Sequence, residues 1–362
     1  MKNSIVNHIL LVALSGAVFM LLVVNAVAAA PVLYVVTGAN NTLEIIDTAS
    51  DTVTGKIGEL NNAHGLAGNA NTEYLVAGSL NAGQGGDATA TKLPAKPAGM
   101  SEDVHKSHHS KGDAGAAPAG KSYVSVIHRK HGHVMRQIEV SGATHHTAVS
   151  PDGVFAVAVQ GKEGGISVID INGSKVIAFV RTGKMPNYAV FDADGDFLYV
   201  SNTASGTVSV IDTHRWQLIE NIKVGSGPAH MYLNGNTRTL YVVNAIAGSV
   251  SAVDLVSRKN TKEYQVGMSP HGVAMSTNGM WLFVSNKAEN TLTRINVNSD
   301  AIKNIALAPA PYHVAALPHS EKLYVSSRKA PKIWVIDQRS MNVLDEITID
   351  SGVAHQMVFI DR

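Results

Sequence analysis

Short apolar runs alternate with polar turns along most of this chain, and the alternation itself repeats. In one unit, Asn187-Tyr188-Ala189-Val190-Phe191 is followed by the turn Asp192-Ala193-Asp194-Gly195. Phe197-Leu198-Tyr199-Val200-Ser201-Asn202 reads as a second strand, 203–206 as a turn, and Thr207-Val208-Ser209-Val210-Ile211-Asp212 as a third strand. Thr213-His214-Arg215 turns the chain again, and 218–224 form a fourth strand. Short β-branched and aromatic runs punctuated by Gly, Asn and Asp are strand and hairpin signals.

A histidine marks the start of almost every unit. His64, His145, Asn187, His230, His271, His313 and His355 follow one another at gaps of 81, 42, 43, 41, 42 and 42. The first gap is one repeat plus an insertion, and a period of about 42 residues is of propeller type. The expected fold class is therefore all-β: a seven-bladed β-propeller of four-stranded antiparallel blades. The chain enters at Tyr34, already a second strand, and ends on 355–360, an innermost strand with no unit after it. Pairing the two completes a blade and removes an open sheet edge. One side chain at one position in each blade would aim a ring of imidazoles at a common axis.

Other landmarks recur with the same period. The second strand returns as Tyr34-Val35-Val36-Thr37, Tyr241-Val242-Val243-Asn244, Phe283-Val284-Ser285-Asn286 and Tyr324-Val325-Ser326-Ser327. The third ends in Ile46-Asp47, Ile169-Asp170, Ile211-Asp212, Val253-Asp254 and Ile336-Asp337. These aspartates read as turn-formers rather than as paired catalytic carboxylates. On these residues the chain resembles the YVTN family of β-propeller proteins, from Leu33 to the C-terminus. In that family a Pro-His-Gly step opens the innermost strand, as Pro270-His271-Gly272 does here, so duplication of one ancestral unit alone would account for a metal-free ring.

Two segments depart from the repeat. Lys2 followed by an apolar run over 9–24 and the small residues of 25–30 reads as a cleaved export signal. The predicted plan is a signal peptide over 1–30 and a propeller over 31–362, with a periplasmic or secreted mature protein that is not inserted in a membrane. Residues 81–120, rich in Ala, Gly, Lys and Pro, form a low-complexity insertion in the first complete blade. It lies between second and third strands, so topology hangs it over the histidine face. Its His105, His108 and His109 are candidates for an accessory metal-capturing tract. His128, His131 and His133 fall around a hairpin between third and fourth strands, hence at the opposite face.

Composition narrows the chemistry. Charge is nearly balanced, with 29 Lys and Arg against 28 Asp and Glu, so nothing marks a nucleic-acid partner. There is no cysteine, which excludes disulfides, Fe–S clusters, thiolate-ligated blue copper and covalently attached c-type haem. All-imidazole sites suit Cu, Zn, Ni or Fe, and copper heads the affinity order. The candidate metal ligands are His64, His145, His146, His230, His271, His313 and His355. Their arrangement resembles the copper-binding propellers of nitrous oxide reductase and thiocyanate dehydrogenase, though without the reductase's cysteine-ligated copper domain. His146 is the anomaly, since it aligns with Gly272 and a period-two strand would turn it away from its neighbour.

The expected function is an exported binding propeller with a copper site at the channel mouth. A metal-free adaptor in an envelope complex is one alternative. The other is a copper-dependent periplasmic oxidoreductase for a small inorganic substrate, fed by an external electron-transfer protein. Arg181, Lys184, Asn202, Asn244, Asn286, Lys287 and Arg328 are the exposed polar residues expected near the histidine face.

Overall fold

A computed structural model describes residues 30–81, 120–350 and 352–361. The signal segment and the insertion histidines His105, His108 and His109 lie outside these residues. No helix among the described residues is long and apolar enough to cross a membrane. Seven four-stranded antiparallel sheets account for the architecture. We number them blades 1 to 7 in the order their second strands occur. The blade 1 sheet joins Val32–Thr37, Thr42–Asp47 and Thr52–Ile57 to the C-terminal strand Ala354–Ile360, which pairs with Val32–Thr37. Blades 2 to 7 begin with the innermost strands Ala63–Ala67, His146–Val149, Pro186–Phe191, Pro228–Asn234, Pro270–Met275 and Pro311–Ala316.

The alternation of the strands explains the packing. Each blade buries both faces against its neighbours, so the middle strands read as continuous apolar runs. Leu33, Val35 and Ile46 of blade 1 interlock with Tyr324, Ile333 and Val335 of blade 7, and Leu43 of blade 1 packs with Leu66 and Leu75 of blade 2. The outermost strands face solvent and are mostly polar: Lys259–Gln265 buries only Tyr264. Ends of third strands are fixed as the sequence suggests. Asp47, Asp170, Asp212, Asp254 and Asp337 each accept a backbone N–H two or three residues on.

The start of each innermost strand is irregular. In blade 6, Pro270 pairs with Asn286 and Val273 with Val284, so His271 and Gly272 together oppose Ser285. The same register shift occurs in blades 1, 2, 4, 5 and 7. In blade 3, His146 pairs with Val159 while the His145 N–H donates to the same Val159 carbonyl. Two residues against one is a β-bulge, which bends the strand and redirects side chains. Both residues of each pair therefore stand at the axis, and the objection to His146 disappears.

Serine stitches this irregularity to the next blade. The Gly272 N–H donates to Ser285 Oγ at 2.9 Å, and Ser285 Oγ donates to the Tyr312 carbonyl. Tyr188, Ser201 and Ala229 repeat the relay between blades 4 and 5. Asn202, Asn244 and Asn286, expected to be exposed, are instead fully buried. Each donates from Nδ2 to hydroxyls of its third strand, such as Thr291 and Thr293 for Asn286.

Candidate metal centre

The bulge gives each blade two axial positions, and the histidines use both. The first position holds His355, His64, His145, Asn187, Ala229, His271 and Tyr312 in blades 1 to 7. The second holds Gln356, Gly65, His146, Tyr188, His230, Gly272 and His313. The ring expected at one repeated position is thus two interleaved sets. His64, His145, His271 and His355 occupy the first register. His146, His230 and His313 occupy the second, on blades 3, 5 and 7, which are two, two and three blades apart round the axis.

Glycine makes room for this. A Cβ on Gly272 would lie 2.5 Å from the Tyr312 carbonyl oxygen and 2.9 Å from His313 Cα. A Cβ on Gly65 would lie 2.7 Å from His146 Cα. Only a residue without a side chain lets the strand carrying His313 or His146 come so close.

All seven histidines meet in one basin. Three sets bring one ligand nitrogen from each member within 4.8 Å of the others: His64, His145 and His146; His64, His313 and His355; and His146, His230 and His313. Within the last set ring centroids are 4.6 Å apart for His146 and His230, 4.8 Å for His230 and His313, and 6.0 Å for His146 and His313. His271 joins through His230, at 4.3 Å. Tyr188 lies 5.0 Å from His146 and 4.6 Å from His230, and Tyr312 stacks on His271 at 4.0 Å.

Hydrogen bonding fixes one tautomer. His146 Nδ1 is 2.8 Å from the Asn187 carbonyl oxygen. That oxygen can only accept, so Nδ1 carries the proton and Nε2 keeps its lone pair. An imidazole oriented by a backbone carbonyl on its far nitrogen is the usual support for a metal ligand. His146 Nε2 stands 3.0 Å from His230 Nε2, which can donate a hydrogen bond to it when no metal is bound. Two nitrogens bound at about 2.0–2.1 Å to one ion stand roughly that far apart near a right angle. Five imidazole nitrogens of the basin are buried with no hydrogen-bond partner: both of His64, Nε2 of His271 and His313, and Nδ1 of His355. Each such orphan costs about 1–3 kcal/mol unless something satisfies it. The residues present fit a transition metal.

The electrostatics keep the basin neutral. Burial, and then the repulsion of neighbouring imidazolium charges, hold His64, His146, His271 and His313 well below the usual histidine range. Burial also lowers His145, and brings His230 down to about 3 and His355 to about 4. Neutral imidazoles present lone pairs at ordinary pH.

The remaining candidates fall elsewhere. His128, His131 and His133 stack along the blade 2 hairpin, with His128 and His131 4.0 Å apart and His128 Nε2 3.5 Å from Glu73. They are not among the described groups whose ligand atoms converge. The stems of the insertion leave beside His64: Ser122 Oγ donates to the Asn81 carbonyl, and the Asn81 side chain bonds Asn61 and Asn62. Tyr188, Tyr312 and Gln356 share the basin and were not expected from the sequence. Their signal was present, since each stands at or beside a repeat-start position.

Fold and basin define a β-propeller suited to a binding or scaffold role. A family model of YNCE-like β-propellers matches residues 153–322, and the chain fits a propeller of this YVTN/YNCE type. No curated protein matches it. Among solved structures, hydrazine synthase of Kuenenia stuttgartiensis aligns at 16% identity and TM-score 0.64, over 83% of this chain and 95% of that one. The periplasmic gluconolactonase of Pseudomonas aeruginosa aligns at 15% identity and TM-score 0.67, over 91% and 98%. The Cps50 (Swd1) propeller domain of Myceliophteria thermophila aligns at 15% identity and TM-score 0.63, over 86% and 97%. At these identities the likeness is one of fold.

Proposed function

We propose that this protein is an exported copper-binding propeller whose metal is held in the histidine basin. The observation that carries the reading is the convergence of seven imidazoles from six blades, with five of their nitrogens buried and without a hydrogen-bond partner. His146, His230 and His313 would form the deep set, with His64, His145, His271 and His355 around it. The absence of carboxylate and thiolate from the converging groups favours a metal that accepts neutral nitrogen donors, and copper binds such donors most tightly of the divalent first-row ions. Bound copper would supply one-electron redox capacity, which makes oxidation or reduction of a small inorganic substrate the natural extension.

Docking of a protein partner on the same face is supported by a separate observation. Met185, Ile246 and Met268 are 58%, 73% and 64% exposed on loops that open at the histidine face. An electron-transfer protein or another envelope component would find apolar contact there.

Elemental analysis of the mature, untagged protein from copper-replete medium tests the metal reading. About one or more copper per chain is expected, retained after deletion of residues 82–120 and lost in His230→Ala with His313→Ala. Less than about a tenth of a metal per chain, unchanged by added copper, would overturn it. Loss on deletion alone would move the site to the insertion.

A further inference from the structure

The residue that follows each second strand occupies one equivalent place on the histidine face. In blades 1 to 7 it is Gly38, Leu80, Gly161, Thr203, Ala245, Lys287 and Arg328. Only two of the seven are charged. Both are basic, and they sit on adjacent blades. They converge on one ring: Lys287 Nζ lies 5.7 Å and Arg328 Cζ 5.4 Å from the centre of Tyr312, the side chain stacked on His271. Neither has a carboxylate within salt-bridge distance among the described residues, although Glu289 stands on the same loop as Lys287 and bonds the Met268 N–H.

Two like charges gathered at one aromatic ring repel each other, although each is attracted to the ring. Their mutual repulsion, after burial, lowers the Lys287 ammonium. Their fields also reach the basin, Arg328 acting on His64 and His355 and Lys287 on His230 and His271. A cation site made only of neutral donors keeps the full charge of its ion. Two more cations beside it make the region strongly positive unless an anion is present.

We propose that Lys287 and Arg328 form an anion-binding pair at the mouth of the histidine basin, which admits a small inorganic anion to the metal site. The pair concentrates the anion by charge, and Tyr312 holds both cations toward the axis. The delivery step rests on the copper reading above; the anion pair itself does not.

The test separates the two. In chelator-treated full-length protein, chloride binding is read from the excess line width of the chloride-35 resonance, with azide as competitor. Wild type should broaden the line and azide should reverse it. Lys287→Gln with Arg328→Gln should abolish the excess, while Lys287→Arg should retain it. Equal broadening by the double variant, or none by wild type, would overturn the anion pair whether or not copper is bound. In copper-loaded protein, azide titrated against its charge-transfer absorption should bind at least about tenfold more weakly to the double variant at unchanged copper content. Unchanged azide affinity there would overturn delivery to the metal. A protein that takes up no copper would sink the metal reading and leave the chloride result to decide the pair.

Discussion

Gly272→Ala should damage both fold and basin, and the size of the effect follows from three contacts. The added methyl would lie 2.5 Å from the Tyr312 carbonyl oxygen, 2.6 Å from the Val314 nitrogen and 2.9 Å from His313 Cα. Carbon contacts are comfortable at about 3.5–4.0 Å, so the Pro311–Ala316 strand must retreat by roughly an ångström. All three atoms belong to backbone, so no side chain can rotate out of the way. Overpacking of this kind costs about 1–3 kcal/mol. For a chain of this size that is a fall of roughly 1–4 °C in Tm. The moving strand carries His313, whose ring is 4.8 Å from that of His230, so copper retention should fall as well. Melting followed by circular dichroism in chelator keeps metal linkage out of the comparison. Gly58→Ala is the control, because a Cβ there meets nothing within 4 Å. A Gly272→Ala protein that melts with wild type and Gly58→Ala, and retains full copper, would refute the account of why glycine stands there.

Two further expectations are cheaper to check. His230 and His355 are depressed from 6.5 to about 3 and about 4, so the unfolded chain takes up protons near pH 6.5 and the folded chain does not. Metal-free protein should therefore lose stability as pH falls from 6.5 toward 4, by up to about 1.4 kcal/mol per pH unit for each of these histidines. Equal urea midpoints at pH 7 and pH 5 in the metal-free protein would contradict this. Removing residues 355–362 deletes most of the strand that completes blade 1, whose register runs from Val32 opposite Ile360 to Thr37 opposite Ala354. The truncated chain should melt well below full length and self-associate through the exposed edge, and a monomer of unchanged Tm would show that the ring does not depend on that pairing.

Most of the architecture was legible because strand periodicity and turn chemistry are local. Tyr241-Val242-Val243-Asn244 announces a buried second strand wherever it stands, and the aspartates after third strands announce their turns. The bulge was not legible, because it depends on which residue of one strand faces which of the next. Histidine gaps of 43 and then 41 around His230 were its trace. By register His230 stands one place beyond the repeat position, which Ala229 fills. His313 is displaced in the same way by Tyr312. A reading that treats the histidines as one column absorbs these single-residue offsets as loop variation. The asparagines of the second strand misled for a related reason. Asn286 looks like a polar strand end, yet it is buried because its amide satisfies hydroxyls in the third strand.

The two registers bear on why the histidines are there. Duplication of an ancestral unit places histidine in one register and leaves the other to drift. His64, His145, His271 and His355 fit that account; His146, His230 and His313 do not. These three lie on alternate blades, and each second-register place between or beside them holds Gly, Tyr or Gln instead. Glycine stands where a side chain would strike the neighbouring strand, and Tyr188 where it packs against two of the three imidazoles. A wet, inherited ring would also leave its nitrogens to water. Here His146, His230 and His313 are 0%, 4% and 4% exposed, in a basin whose burial suppresses the protonated form. Of the three, His146 and His230 face each other through Nε2 and His313 Nε2 has no partner, so a cation bound by these lone pairs would offset the cost of burying them. The second register is thus the part of the pattern that repetition does not explain and that the proposed coordination would.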